Sequence, residues 1–507
     1  MHQSPLVKDL RVTIGGENVI SAPSEMAVYD CDAFTLKRNA PEAVVLPQST
    51  EQVAAVVNIC NHYSVAIVPR GAGTSLAGGC LPVGRSVVLL LTRMNRVLEV
   101  NLRDRWAVVE AGVYNSQLTK ALAGAKCFFA SEPSTQGSSS IGGNVATNAS
   151  GANTLKYGVT VNQVLGLEAV LGDGSIVQLG PIDDPASLDL IGLLVGSEGT
   201  LAIVTKVWLR LTSNPQDYRT MRVIFSSVDD AVSTVTQILG AGIIPSAIEL
   251  LDQGILAAVN GSFEIDLPSD AGAALVIEID GPTAKLDRQQ EQIVTLCKKN
   301  NAQDVRQASS AEDRETLWKC RKSAITAAGD CPNFHGDCPD FRPGENGTAP
   351  VRHNREATVP FHSSYLIEDC VVPRTRLPQM LQKIAEIGRK HELNIMNVAH
   401  AADGNVHPII LFDERDQASV DRALAASSEL LDACIALGGS VTAEHGIGAR
   451  KVDFMLRQFQ SADLEAFQRV RYSFDPYGLF NPGKDLPTGN GEEKIIHHGA
   501  AEATEIR

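Results

Sequence analysis

Three glycine-rich stretches, each next to an apolar run of strand character, constrain this chain more than any other feature. The first, VPRGAGTSLAGG from Val68 to Gly79, continues directly from the predicted strand VAIVP. Its glycines permit the φ > 0 turns that let successive backbone N–H groups converge into an anion-binding nest, for which a diphosphate is the natural guest. It is not a Rossmann fingerprint, because Leu76 occupies the third glycine position, and not a P-loop, because no Gly-Lys-Ser/Thr follows. The second, EPSTQGSSSIGGNVATNASGANTLKYG, offers small residues and Asn or Thr side chains against which a flat ligand can lie. The third, GSEGTLAIVT from Gly196 to Thr205, runs straight into a strand. A single such loop is as readily an ordinary turn; three together ask for one extended ligand.

Around these loops the first half alternates helix and strand. STEQVAAVVNICNHY has helical periodicity behind a Ser49-to-Gln52 capping-box spacing, and SVVLLLT, RVLEV, WAVVEAG, VLGLEAVLG and SIVQLG read as strands. The period-2 strand TLAIVTKVWLRL ends this half near residue 212, and TSNPQD has the composition of a linker. The second half sets long amphipathic helices, such as TAKLDRQQEQIVTLCKKN, beside strands such as AALVIEID and PIILFD. This predicts a separate sheet covered by helices. Residues 330–358, rich in Pro, Gly, Asp, Asn and Arg, read as an inserted loop, and the segment from 486 to 507 has too few large apolar residues to pack.

NVAHAADGNVHPIIL and TAEHGIG carry the chemistry. If Asp403 and Gly404 form a two-residue hairpin turn, His400 faces His407 across the strands. Directly opposed Cβ atoms lie about 4.5–5.5 Å apart, close enough for both rings to reach one cation at about 2.0–2.1 Å. Glu444 would complete a three-ligand site with an open position, leaving His445 free as a base. Two histidines beside a turn are, by themselves, more often structural; the Glu-His dipeptide among glycines is what points to a metal.

The chain of 507 residues has room for two or three domains, and 44 Lys+Arg against 59 Asp+Glu give a formal charge of −15. With no basic run, nucleic acid is not an expected partner. No signal peptide and no run of about 18 apolar residues is present, so the expectation is a soluble, cytoplasmic protein. Ten scattered cysteines imply reduced thiols. Cys331 and Cys338 bracket His335 at a spacing that matches neither a zinc knuckle nor an iron–sulfur run, and without clusters of its own a redox protein must hand electrons to another molecule.

Taken in order, PRGAGTSLAGG, IGGNVATNASG, GSEGTLAIVT, WKCRKSA, HAADGNVH, AEHGIG and FDPYGLFNPGK resemble the FAD-linked oxidases of the vanillyl-alcohol-oxidase type, in the group of D-lactate dehydrogenase, glycolate oxidase and D-2-hydroxyglutarate dehydrogenase. The resemblance covers about residues 40–485. It implies an α+β architecture: after an N-terminal segment (1–37), a two-lobed FAD-binding domain (38–213) is followed by an α/β cap with a helix-covered antiparallel sheet (214–485). It implies FAD held by Pro69, Arg70, Gly71, Ala72, Gly73, Thr74, Ser75, Gly78 and Gly79 of the first loop. Pro133, Ser134, Gly142, Asn144, Thr147 and Gly151 would lie along the cofactor, with Glu198, Gly199 and Ile203 from the third loop and Asn481 returning from the C-terminus. Thr74 and Ser75 stand where covalent flavoproteins of the family often carry a histidine, so the FAD is expected to be noncovalent.

The resemblance further implies oxidation of a small D-2-hydroxy acid, D-lactate or glycolate, to the 2-oxo acid. His445 would take the hydroxyl proton, flavin N5 the hydride, and Arg321 the carboxylate through its planar fork. A zinc or manganese ion on His400, His407 and Glu444 would lower the hydroxyl pKa. Electrons would pass to a separate acceptor, a quinone, a cytochrome or an iron–sulfur subunit, and such a subunit could hold the protein peripherally at a membrane. The alternatives are a D-2-hydroxyglutarate dehydrogenase, a flavin subunit of a glycolate oxidase complex, or a sugar or aldonolactone oxidase. The last would need neither the histidine pair nor Glu-His.

Overall fold

A computed structural model describes residues 4–131, 133–135, 137–180, 188–263, 267–268, 270–329 and 364–487. The expected insertion at 330–358, with Cys331, His335 and Cys338, and the tail beyond residue 487 lie outside the described residues.

The chain opens with the helix Pro5–Ile14, whose first turn is capped by Ser4 accepting from the Val7 N–H at 3.3 Å. Leu6, Val7, Leu10 and Ile14 form its buried stripe and share a core with Val53, Val57 and Cys60 of the helix Thr50–Tyr63. Ser49 caps that second helix, while Gln52 reaches back one residue further than a simple capping box, accepting from the Gln48 N–H at 2.7 Å. Strand Val19–Ile20 pairs with Ala43–Val45, so the N-terminal segment contributes a strand to the same sheet as the residues that follow. The parallel strands Ala43–Val45, Ser86–Leu90 and Ala66–Arg70 complete that sheet, with Ala66–Arg70 at its edge and the first glycine loop leaving from its C-terminal end.

A second, five-stranded antiparallel sheet runs Val97–Asn101, Trp106–Glu110, Ile203–Arg210, Val164–Val170, Ile176–Leu179. The helix Ile141–Thr147, carrying the second glycine loop, packs against it so closely that a Cβ on Gly142 would lie 2.8 Å from that of Ala111. The expected linker begins later than its composition suggests, because Thr212–Ser213 pairs with Cys127–Phe128 before the next strand starts at Asp217.

The remainder forms an eight-stranded antiparallel sheet in the order Asp304–Gln307, Asp217–Phe225, Ala273–Gly281, Ala247–Asp252, Ile395–His400, Asn405–Phe412, Ser364–Ile367, with Cys370–Val371 also on Asn405–Phe412. Alternate residues face opposite cores, as strand geometry requires. Val223, Leu250, Leu275, Ala399 and Ile410 meet the helices Val228–Gly240, Thr283–Lys299, Leu377–Lys390 and Gln417–Ala436. Ile224, Leu251, Val276, Val398 and Ile409 meet Gln253–Phe263, Ala311–Lys322 and Ala324–Gly329. One expectation fails at the C-terminus: Leu486, assigned to the unpacked tail, is buried in the first of these cores, since one large side chain suffices to anchor a short return.

Candidate active site

The histidine hairpin has a longer connection than the Asp-Gly signal implies. His400 pairs with Asn405 and Val398 with His407, leaving four residues in the turn in place of two. The expected register of 400 against 407 is therefore shifted by two. Because strand side chains alternate, a shift of two keeps both histidines on one face, now as diagonal neighbours with ring centroids 5.2 Å apart. Gly404 sets the turn with φ +76°, and a Cβ there would stand 2.1 Å from the Val372 carbonyl oxygen. Gly404→Ala is expected to cost about 2–3 kcal/mol, from left-handed strain plus this collision. A thermal transition lower by several degrees checks it, and an unchanged midpoint would mean that the turn can relax.

Glu444 lies at the centre of the cluster. Its Oε1 is 3.1 Å from His407 Nε2 and 3.6 Å from both His400 Nε2 and His445 Nε2. Ligands about 2.1 Å from a tetrahedral cation lie about 3.4 Å from one another, so these separations suit one shared divalent ion. The far sides of two rings are already fixed: His400 Nδ1 is 2.6 Å from Glu249 Oε1, and His407 Nδ1 is 3.3 Å from the Glu368 carbonyl oxygen. Each acceptor holds a proton on Nδ1 and leaves the Nε2 lone pair for the shared centre. Ser150, from the second glycine loop, donates to Glu444 Oε2. His445 stacks on His407 at 5.1 Å, and its Nδ1 is buried without a partner among the described residues.

The loop carrying Glu444 and His445 is held by a residue that the sequence reading did not single out. Asp369 Oδ2 accepts from the Thr442 hydroxyl at 2.6 Å and from the N–H groups of Ala443, Glu444 and His445 at 2.8–2.9 Å. Its other oxygen is buried and has no partner among the described residues, and Asp369, His407, Glu444 and His445 each offer a ligand atom within 4.8 Å of the rest. The buried Lys451 stands 3.9 Å from Asp369 and donates to the Val441 carbonyl at 2.7 Å.

Charge follows this packing. Burial pushes the His445 imidazole down to about 4, against the pull of Asp369, so the ring is neutral at neutral pH and able to accept a proton. Burial acts the same way on His400, but the Glu249 charge and hydrogen bond, with Glu444, outweigh it and hold its pKa up at about 10, so a cation takes the Nε2 position only by displacing a proton. For Glu249, burial favours the neutral acid, yet His400 and Arg321 bring its pKa down to about 2. Glu444 likewise resists burial through its contacts with His400 and His407 and lies well below the usual carboxylate range.

One cleft joins this cluster to the glycine loops, its walls including Arg70 to Leu76, Gly142 to Asn144, Glu198, Gly199, His400, Glu444 and His445. The N–H groups of Ala72 to Ser75 have no hydrogen-bond partner among the described residues. A cleft lined by a row of backbone donors from the first glycine loop and by an imidazole whose Nδ1 has no partner among the described residues fits a dinucleotide. The description "FAD binding domain" matches residues 41–180, and "FAD linked oxidases, C-terminal domain" matches residues 214–338 and 348–484. This chain belongs to the FAD-linked oxidases.

It is an FAD-dependent oxidoreductase with relatives along nearly its whole length. The glycolate oxidase subunit GlcD of Escherichia coli (strain K12) is 36% identical over 496 residues, covering 97% of this chain and 93% of that protein. GlcD of Bacillus subtilis (strain 168) is 34% identical over 481 residues, 94% of this chain and 96% of that one. The mitochondrial D-lactate dehydrogenase [cytochrome] of Arabidopsis thaliana is 30% identical over 459 residues, 90% and 75% of the two chains. Among solved structures, p-cresol methylhydroxylase with substrate bound superposes with a TM-score of 0.74 at 16% identity, covering 95% of this chain and 96% of that one. For 4-ethylphenol oxidase from Gulosibacter chungangensis the values are 0.73 and 19%, with the same coverage; both likenesses speak to the fold.

Of the residues expected along the cofactor of this FAD-linked oxidase, Gly78 and Asn481 do not line the cleft. Gly78 faces Ala449, and Asn481 braces the loops from behind, its side-chain amide donating to the Gly79 and Glu198 carbonyls at 2.8 and 2.7 Å. Glu198 does line the cleft, but its carboxylate turns toward the other half of the chain and accepts from the Ile447 and Gly448 N–H groups at 2.5 and 2.8 Å. Arg321 is buried outside the cleft lining, with Nε 2.6 Å from Glu249 Oε2. Glu249, Asp369 and Lys451 were missed. The one available signal was the occurrence of acids inside apolar runs, SAIELLD and YLIEDCVV, where a charge needs a specific partner.

Proposed function

We propose that this FAD-linked oxidase oxidises a small D-2-hydroxy acid, D-lactate or glycolate, to the 2-oxo acid and passes the electrons to a separate acceptor. The observation that carries this reading is the neutral His445, its Nδ1 unpartnered among the described residues, in the same cleft as the glycine loops and beside a cluster suited to a cation. The names of the relatives support the substrate class. His445 takes the hydroxyl proton, and its loop is kept in register by Asp369. Arg321, which stands outside the cleft lining with Nε on Glu249, would fix the substrate carboxylate by turning its terminal nitrogens toward the cleft. His400, His407 and Glu444 hold a zinc or manganese ion, which when bound supplies Lewis acidity toward the hydroxyl oxygen. FAD, held noncovalently by the three glycine loops, supplies the hydride acceptor. The acceptor is a quinone, a cytochrome or an iron–sulfur subunit, and the protein works in the cytoplasm or at the membrane face through that partner. No helix among the described residues is long and apolar enough to cross a membrane.

Purified protein is expected to be yellow, to release FAD on denaturation, and to bleach anaerobically with one of D-lactate, glycolate or D-2-hydroxyglutarate faster than with L-lactate. Arg321→Lys, which keeps the charge but loses the fork, should slow that bleaching about 30- to 150-fold at subsaturating acid without loss of FAD. Colourless protein that cannot be reconstituted, or a flavin no hydroxy acid reduces, would overturn the reading.

A further inference from the structure

We propose that Glu249 is a positioning residue that ties the cation site to the substrate clamp. The inference rests on the functional reading above. Glu249 is fully buried in the strand Ala247–Asp252, in an otherwise apolar run, and stands directly opposite His400 across the ladder. A carboxylate at such a place is costly unless both of its oxygens are used. Here the two are divided between different parts of the site. Oε1 meets His400 Nδ1 at 2.6 Å, and Oε2 meets Arg321 Nε, from the helix Ala311–Lys322, at 2.6 Å.

The first contact decides which ring nitrogen of His400 carries the proton. An acceptor at Nδ1 keeps the hydrogen there and aims the Nε2 lone pair at the point shared with Glu444 and His407, the arrangement by which outer carboxylates orient histidine ligands. The second contact fixes Arg321 at Nε, so on the functional reading above it is the terminal nitrogens that would meet the acid. One carboxylate thus links a cation ligand, His400, to Arg321. A simple charge-neutralising pair would have needed only Arg321.

The test compares unmodified holoprotein with Glu249→Gln. An amide has one acceptor oxygen, so its NH₂ must face either the His400 N–H or the Arg321 N–H, and one of the two contacts is lost. If the His400 contact is the one lost, zinc affinity, read by competition with a chromophoric chelator, falls 10- to 100-fold; if the Arg321 contact is lost, KM for the hydroxy acid rises; in both cases FAD content stays stoichiometric. Should the lone buried Arg321 prevent folding, Glu249→Leu with Arg321→Leu removes both charges together. That variant must still bind zinc 10- to 100-fold more weakly, because His400 has no acceptor, whereas a merely neutralising Glu249 would leave zinc affinity intact. Native zinc affinity in the double variant, or native zinc affinity together with native KM in Glu249→Gln, overturns the inference alone. Unmodified protein that takes up neither zinc nor manganese overturns the functional reading and this inference with it.

Discussion

His445→Ala is expected to slow anaerobic reduction of the flavin by about 10²–10⁴-fold, the usual contribution of a positioned general base, with FAD and cation both retained. Retention follows from the way the loop is held. Asp369 grips the backbone N–H groups of residues 443–445, so removing the imidazole leaves Glu444 in place. Stopped-flow bleaching and metal analysis of the same sample separate the possibilities. If the variant also loses its cation, then His445, whose Nε2 is as far from Glu444 Oε1 as that of His400, is a ligand and the proton acceptor must be sought elsewhere.

His407→Ala is expected to do the opposite: cation and turnover vanish together while the protein stays yellow. The His407 Nε2 contact with Glu444 is the shortest of the three histidine contacts to that carboxylate, and its ring does not line the flavin cleft. A Lewis acid contributes several kcal/mol toward a developing alkoxide, and each 1.36 kcal/mol is a factor of ten, so the loss should be about 10²-fold or more. Dialysis of unmodified protein against a chelator should reproduce the defect, and added zinc or manganese should reverse it. Full activity after chelation, with no stoichiometric ion, would leave the histidines as hydrogen-bonding groups.

What was legible in the sequence follows from how local each signal is. The glycine loops and the strands beside them depend on short-range backbone demands, and the structure brings all three loops to one cleft. The histidine pair was placed on a common face by a register that was itself off by two, and survived because the period of a strand is two. The true turn depends on Gly404 fitting under Val372, a contact between segments that no local pattern encodes. Glu249 was invisible for the same reason, since its partners lie 151 and 72 residues further along the chain. Arg321 was found by motif, but its commitment to Glu249 could not be.

The C-terminal return has a consequence for how the protein is made. Phe480 is fully buried in the core of the first sheet, and Ile67 exchanges backbone hydrogen bonds with Leu479 and Asn481 at 2.7 Å each. The edge strand that launches the first glycine loop therefore stays uncovered on the ribosome until 481 − 70 = 411 further residues have been added, about 20–80 s at ordinary synthesis rates. Throughout that interval it is an open template for pairing with another chain, and only the last part of the sequence both closes the edge and braces the loops that receive the dinucleotide. A ribosome that stalls late releases a chain with every cofactor loop already written and no means of keeping them together.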